Sequence, residues 1–158
     1  MRYYRTNPDP VLQPQMARES IDKRAFYAYT LRVDNLAAGA IAVDNVTIEA
    51  NSDFILTKMT QFSDVAGAPQ TADTRVIPLV RLQLTDTGSS FNLFDEPEAM
   101  GNITGFGAIP FILPLAYRFA RNATLRGEFT NFSAATTYDS VQLTLIGFRN
   151  YGPVESMV

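Results

Sequence analysis

The sequence predicts an all-β domain, an antiparallel β-sandwich of jelly-roll or immunoglobulin-like type with an extended N-terminal arm. Three observations lead there. Apolar residues alternate with polar ones at a period of two in several separate segments. No amphipathic stretch is long enough for a major helix. Turn-forming residues punctuate the alternating segments at spacings suited to a sandwich or barrel.

Residues 1–24 differ from the remainder. They hold Pro8, Pro10 and Pro14, with Arg2, Tyr3, Tyr4 and Arg5 at the tip. Proline at that spacing favours extended backbone and blocks a regular helix or central strand. Such a segment has little to bury internally and is either disordered or laid along a partner, so the sequence predicts an arm over 1–24 and a sandwich domain over 25–158. Met16 to Arg24 could form one or two helical turns before the first strand.

From Ala25 the alternation begins. Ala25, Tyr27, Tyr29, Leu31 and Val33 share one face of a strand, and Asp34 to Gly39 reads as a turn. Ile41 to Ala50 is a second β segment, interrupted by Asp44-Asn45, and Phe54 to Phe62 a third with mixed alternation. Asp64 to Asp73 is a loop rich in Gly, Pro, Ala and Thr. Val80, Leu82 and Leu84 form a clean strand, Asp86-Thr87-Gly88 turns the chain, and Phe91 to Phe94 returns it. Asp95 to Gly107 reads as a loop. Phe111 to Ala120 is a strand that its prolines assign to an edge or bend. Ala123 to Phe129 and Val141 to Leu145 complete seven or eight strands.

Composition narrows the chemistry. The 158 residues include no Cys, His or Trp. The sequence thus offers no disulfide, thiolate ligand or Cys nucleophile, and it lacks the commonest general base and transition-metal ligand. The 13 basic and 16 acidic residues do not suit a nucleic-acid binder, which needs concentrated positive charge against phosphates. Of the basic residues only Lys23 and Lys58 are lysines, the rest being arginine. Protein interfaces favour Arg and Tyr over Lys, which agrees with an assembly role, although an Arg-rich genome would give the same bias. No apolar signal segment follows the charged start, and Ile109 to Leu115 is too short to span a bilayer. The expectation is a soluble chain made in a cytoplasm.

Motif candidates are weaker than their plain alternatives. Asp95-Glu96-Pro97-Glu98 lacks the spacing of a calcium loop and reads as a solvated loop. The repeated Val-Asp-Asn at 33–35 and 43–45 could bring two carboxylates together, but Asx residues at turns satisfy backbone amides without an ion. Glu49, Glu98 and Glu128 offer no paired-carboxylate context for glycoside hydrolysis. Ser89-Ser90 has no base to activate it. Gly101 to Gly107 lacks the Lys and following helix of a phosphate loop. Asn-x-Ser/Thr triplets begin at Asn45, Asn102, Asn122 and Asn131, and without a signal peptide they are incidental. No catalytic residue, cofactor or metal ligand is expected.

The later half carries a resemblance. It runs Arg81-Leu-Gln-Leu-Thr-Asp-Thr-Gly-Ser-Ser, Gly105-Phe-Gly-Ala-Ile-Pro-Phe-Ile-Leu-Pro, Arg121-Asn-Ala-Thr-Leu-Arg-Gly-Glu-Phe-Thr-Asn and Val141-Gln-Leu-Thr-Leu-Ile-Gly-Phe-Arg-Asn-Tyr. Over residues 76–151 this texture resembles small virion structural proteins of tailed bacteriophages. The resemblance implies a non-enzymatic accessory protein of the virion, made in the host cytoplasm. A capsid decoration or cement protein binding the major capsid protein is the leading placement, with neck, collar or tail as the alternative. It also implies a homo-oligomer, with a trimer favoured, and neither nucleic acid nor membrane as partner. Arg2, Tyr3, Tyr4 and Arg5 are the expected partner-binding residues. A host-surface carbohydrate-binding module is the alternative from another class.

Overall fold

The computed structural model describes residues 24–68 and 75–152. In chain order the strands are β1 (Arg24–Leu36), β2 (Ile41–Thr47), β3 (Asp53–Val65), β4 (Val80–Asp86), β5 (Phe91–Asn92) and β6 (Glu98–Ala99). A single helical turn, α1 (Met100–Ile103), precedes β7 (Phe111–Phe119), β8 (Thr124–Asn131) and β9 (Tyr138–Asn150). They form two antiparallel sheets. The first has the order β1-β9-β3-β7, and the second β2-β8-β4-β5 with β6 also paired to β4. The all-β expectation holds.

The pairings are nested. β5 returns against β4, β7 against β3, β8 against β2 and β9 against β1. Arg24 therefore stands opposite Asn150 while the short β4–β5 hairpin sits innermost in sequence. Each long strand lies in the other sheet from its neighbours in sequence, so the chain crosses the core at almost every connection.

One core fills the space between the sheets. Leu31, Phe54, Leu56, Met59, Leu143 and Leu145 reach it from the first sheet, and Leu82, Leu84, Leu125 and Phe129 from the second. All ten are essentially inaccessible to solvent, and burying each such side chain is worth about 1.5–3 kcal/mol in transfer terms. Gly127 marks how closely the layers approach, because a Cβ there would stand 2.9 Å from Leu31 Cδ1 across the core. Gly147 serves the first sheet differently. Its missing Cβ makes room for the carbonyl of Ile55, just before β3 bulges between Leu56 and Lys58.

Several local expectations change. Asp44-Asn45 does not interrupt β2, which pairs continuously with β8 from Ile41 to Thr47. Asp44 instead turns its carboxylate to the free edge of β1 and accepts the Arg32 amide at 2.7 Å, replacing a missing strand partner. β3 runs past Phe62 to Val65, into the segment expected as loop. Residues 95–107 are not all loop, since β6 and α1 lie within them. β7 occupies an edge of the first sheet, as its prolines predicted. Arg24 already belongs to β1, so the sheet starts one residue before the expected boundary, and the rest of the arm lies outside the described residues.

Candidate interaction surface

Arg2, Tyr3, Tyr4 and Arg5 lie outside the described residues. What the structure fixes is where their segment joins the fold. Arg24 heads edge strand β1 beside Asn150, so residues before 24 and after 152 leave at the same end of the molecule. We call this the terminal end.

That end is organised around aromatic rings and arginines. Tyr27, Tyr29, Phe54, Phe119, Tyr117 and Phe91 make a continuous series of ring contacts from β1 across to β5, with centroid separations of 4.6–6.4 Å. Arg149 closes the series at the β1 side. Its guanidinium lies 3.4 Å from the Tyr27 ring centroid and donates to Glu49 at 2.5 Å and to the Tyr29 hydroxyl at 3.4 Å. Burial disfavours the charged guanidinium, but hydrogen bonds with Tyr151, Glu49 and Tyr29 more than offset that and raise its pKa.

Asp53 anchors the other side. Its carboxylate is 1% exposed and accepts from the Arg121 amide at 3.0 Å and from the Arg118 guanidinium at 3.0 and 3.1 Å. Burial alone would raise its pKa. The Arg121 amide bond and the nearby Arg118 charge, with side-chain bonds from both arginines, bring it below the ordinary carboxylate range. These groups are mutually satisfied, and their chemistry is that of structural clamps.

The other sequence candidates are likewise absorbed locally. Among the described residues no three His, Cys, Asp or Glu side chains gather in a metal-binding group. The two Val-Asp-Asn carboxylates do converge, but on Arg32: Asp34 accepts its Nε at 2.8 Å and Asp44 its amide. Glu49 and Glu128 pair with Arg149 and Arg126. Glu98 stands opposite Leu82 and Glu128 opposite Gln83, adjacent positions whose side chains alternate between faces. In the Gly101–Gly107 stretch, Gly105 spends its N–H on Met59 and its carbonyl on the Gln61 amide, so it extends the sheet beside β3 and cradles no anion. Asn131 is fully buried, its amide nitrogen shared among the carbonyls of Leu36, Ala37 and Thr136, which removes it as a glycan acceptor.

The two outward faces differ, and this asymmetry went unread in the sequence. On the second sheet the central rows are polar: Thr130 beside Arg81, Glu128 beside Gln83, Arg126 beside Thr85 and Asn92. Many of these side chains bond each other, as in Arg126 to Glu128 at 2.7 Å and Thr85 to Asn92 at 2.8 Å. Apolar exposure there is confined to edge strand β2, at Ile41 and Val43, and to Leu79 and Phe132 beyond the rows.

On the first sheet the outward rows nearest the terminal end are apolar on β1 and β9 and mixed on β3 and β7, where Arg118 stands opposite Ile55 and Lys58 lies between Ile146 and Ile112. Phe26, Phe148 and Ile55 align across β1, β9 and β3, followed by Ala28 and Ile146, with Ile112 across from Lys58 on β7. Phe26 is 77% exposed and Ile112 66%, while Arg24 stacks 5.2 Å from the Phe148 ring. Leu115 is 83% exposed in the middle of β7, where its pairing with β3 breaks register. Beyond these rows the face passes through Thr30, Thr144 and Thr60 to a row of Arg32, Gln142 and the half-exposed Phe62. The apolar exposure of this face is thus concentrated on β1 and β9, at Phe26, Ala28, Phe148 and Ile146. Period-two alternation identified which residues point outward from each strand, but only the strand order brings Phe26, Phe148 and Ile112 to one face.

No described helix is long and apolar enough to cross a membrane. No protein-family model matches the chain, and a search of curated proteins gives no match.

Proposed function

We propose that this protein is a non-enzymatic structural component of a virion, with a jelly-roll domain that bridges neighbouring subunits and an N-terminal arm that extends its reach. The observation that carries the reading is the strand order. Nested antiparallel pairs wrapped into β1-β9-β3-β7 over β2-β8-β4-β5 follow the jelly-roll pattern, an architecture used by viral capsid domains. An immunoglobulin-like order fits less well, because it keeps sequence-adjacent strands together in one sheet. The resemblance of residues 76–151 to small virion proteins of tailed phages supports the same reading, as does the apolar patch of Phe26, Ala28, Phe148 and Ile146 on β1 and β9, beside the point where the arm joins the fold.

Within the virion, the favoured role is capsid decoration or cement on the major capsid protein, as a homo-oligomer for which a trimer is the favoured form. A protein that binds the assembled shell and not its free subunits stabilises the shell by mass action. The test is to incubate purified protein with particles lacking it and measure both co-sedimentation and the temperature at which the shells release DNA. Saturable binding to shells with an upward shift supports cement. Binding to isolated tails or necks moves the protein there, and binding only to glycans replaces the reading with a host-surface module, since jelly rolls also serve lectins.

A further inference from the structure

We infer that the free edge of β1 pairs with the same edge of a second copy of this chain, antiparallel about a two-fold axis through Ala28. The pairing does not rest on the virion reading, and an assembly built through this edge alone is a dimer.

Backbone direction defines the edge. The Arg32 N–H leaves the first sheet to reach Asp44, so Arg32 turns its backbone groups away from β9. β1 pairs with β9 without a register shift, and Phe26, Ala28 and Thr30 therefore turn theirs the same way. Among the described residues, none bonds these groups on that side. The other edges are blunted or short. β7 carries Pro114 and a register break, β5 and β6 have two residues each, and β2 has seven. β1 runs for 13 residues with no Pro, Lys, Gly or bulge.

This edge is complementary to itself. Centred on Ala28, the pairing sets Phe26 opposite the partner's Thr30 and closes about six backbone hydrogen bonds, using each free residue up to Arg32. A centre at Thr30 would drive the partner into Asp44, and a centre at Phe26 would leave Thr30 with no β1 residue opposite. Phe26, 77% exposed, lies diagonal to the partner's Ala28, whose single methyl leaves the ring room. Charge agrees as well. Asp34 and Asp44 both gather on Arg32, one acid more than base, and the partner's Arg24 stands opposite that cluster. The positive head of each strand thus meets the negative tail of the other.

The chain's own arm is the rival occupant. A hairpin through Ser20–Lys23 would bring residues 13–19 to this edge. They are Gln, Pro, Gln, Met, Ala, Arg and Glu, with none of the β-branched or aromatic residues that strands favour. β1 itself supplies Phe26, Tyr27, Tyr29 and Thr30.

The chain has no Cys, so single cysteines introduced into the full-length protein report the register. Ala28→Cys sets the two α-carbons about 5.5 Å apart, within disulfide reach, while Thr30→Cys leaves them about 14 Å apart. Under mild oxidation Ala28→Cys should form covalent dimer at least roughly tenfold faster than the equally outward Thr30→Cys. Sedimentation velocity should show a wild-type dimer with a Kd of about 1–100 µM, as a small interface gives. Ala28→Lys, which sets like charges together on the axis, should weaken it at least roughly tenfold, and Leu115→Glu on the far edge should not. Circular dichroism confirms that each variant is folded. A wild type still monomeric at about 200 µM, equal cross-linking of the two cysteine variants, or a dimer that appears only after deletion of residues 1–16 overturns the inference, the last by showing that the arm covers the edge. Particle binding is measured separately, so a dimer that ignores shells loses the virion reading and keeps this one.

Discussion

The Arg149 guanidinium sits over the Tyr27 ring, 3.4 Å from its centroid, on the inward side of the first sheet where an aliphatic residue would be expected. Glu49 and the Tyr29 hydroxyl complete its surroundings. Replacing it with Ala removes a desolvated cation–π contact and leaves a void, and should cost about 2–4 kcal/mol. Arg149→Lys keeps the charge but not the planar fork, and should recover only part of that loss. Urea unfolding reads both. An Ala variant within error of wild type would remove Arg149 from the determinants of stability.

Asp53 predicts acid sensitivity. Its pKa is lower in the folded state than unfolded, so its contribution is fully present above the unfolded value near about 3.9 and is lost as pH falls through the folded one. Melting temperature against pH should show this limb in wild type and a flatter one in Asp53→Asn. At neutral pH the variant should lose about 1–3 kcal/mol, since Arg118 and Arg121 are half exposed and can rehydrate. Parallel acid limbs would show that other carboxylates dominate.

Asn131 ties the β1–β2 turn to the β8–β9 loop at the end opposite the termini. Asn131→Ala removes a donor from the Leu36 carbonyl, leaves the Ala37 and Thr136 carbonyls with the Ala40 amide and the Ser133 hydroxyl, and takes the acceptor from the Ser133 amide that bonds its Oδ1. The expected loss is about 2–4 kcal/mol by chemical denaturation, with hydrogen exchange rising first in residues 37–40 and 132–137. Exchange confined to the terminal end would contradict the assignment.

The two core glycines should respond differently to alanine. At Gly147 the added Cβ would meet the Ile55 carbonyl at 1.9 Å, a backbone atom that cannot step aside without moving β3. Gly147→Ala should therefore fail to fold or lose more than about 3 kcal/mol. At Gly127 the obstacle is the tip of Leu31, which can change rotamer, and the loss should be nearer 1–2 kcal/mol. Comparable soluble yields and melting points for the two would refute the distinction.

Deleting residues 1–16 should leave a folded domain that no longer binds its assembly partner, because the buried core is drawn from residues 29–145. Circular dichroism and co-sedimentation with particles separate the two outcomes. Undiminished binding would remove the arm from the mechanism.

Much of the fold was legible from alternation alone. Leu82 and Leu84, Leu125 and Phe129, and Leu143 and Leu145 all point into the core as their spacing required. The departures have physical causes. Asp44-Asn45 looked like a turn because Asx residues favour turns, but Asp44 finds its amide across the sheets, at Arg32. β3 obscured its alternation with a bulge after Leu56, which shifts every later side chain by one place. The apolar face was hidden for a different reason. Phe26, Ile112 and Phe148 are isolated outward positions in three distant segments, and a single exposed apolar residue carries no information. Arg149 was likewise unreadable as a core residue, since its partners come from residues 27, 29 and 49.

The nested pairing has a kinetic corollary. β1 and β9 join residues more than a hundred positions apart, a closure whose entropy must be met before its contacts repay it. The order favoured by loop length begins at the β4–β5 hairpin and proceeds outward, with the β1–β9 seam last. The apolar patch of the first sheet is built across that same seam, from Phe26 on one side and Phe148 and Ile146 on the other. A chain still folding thus lacks this patch, which comes into being only as the last pair of strands closes.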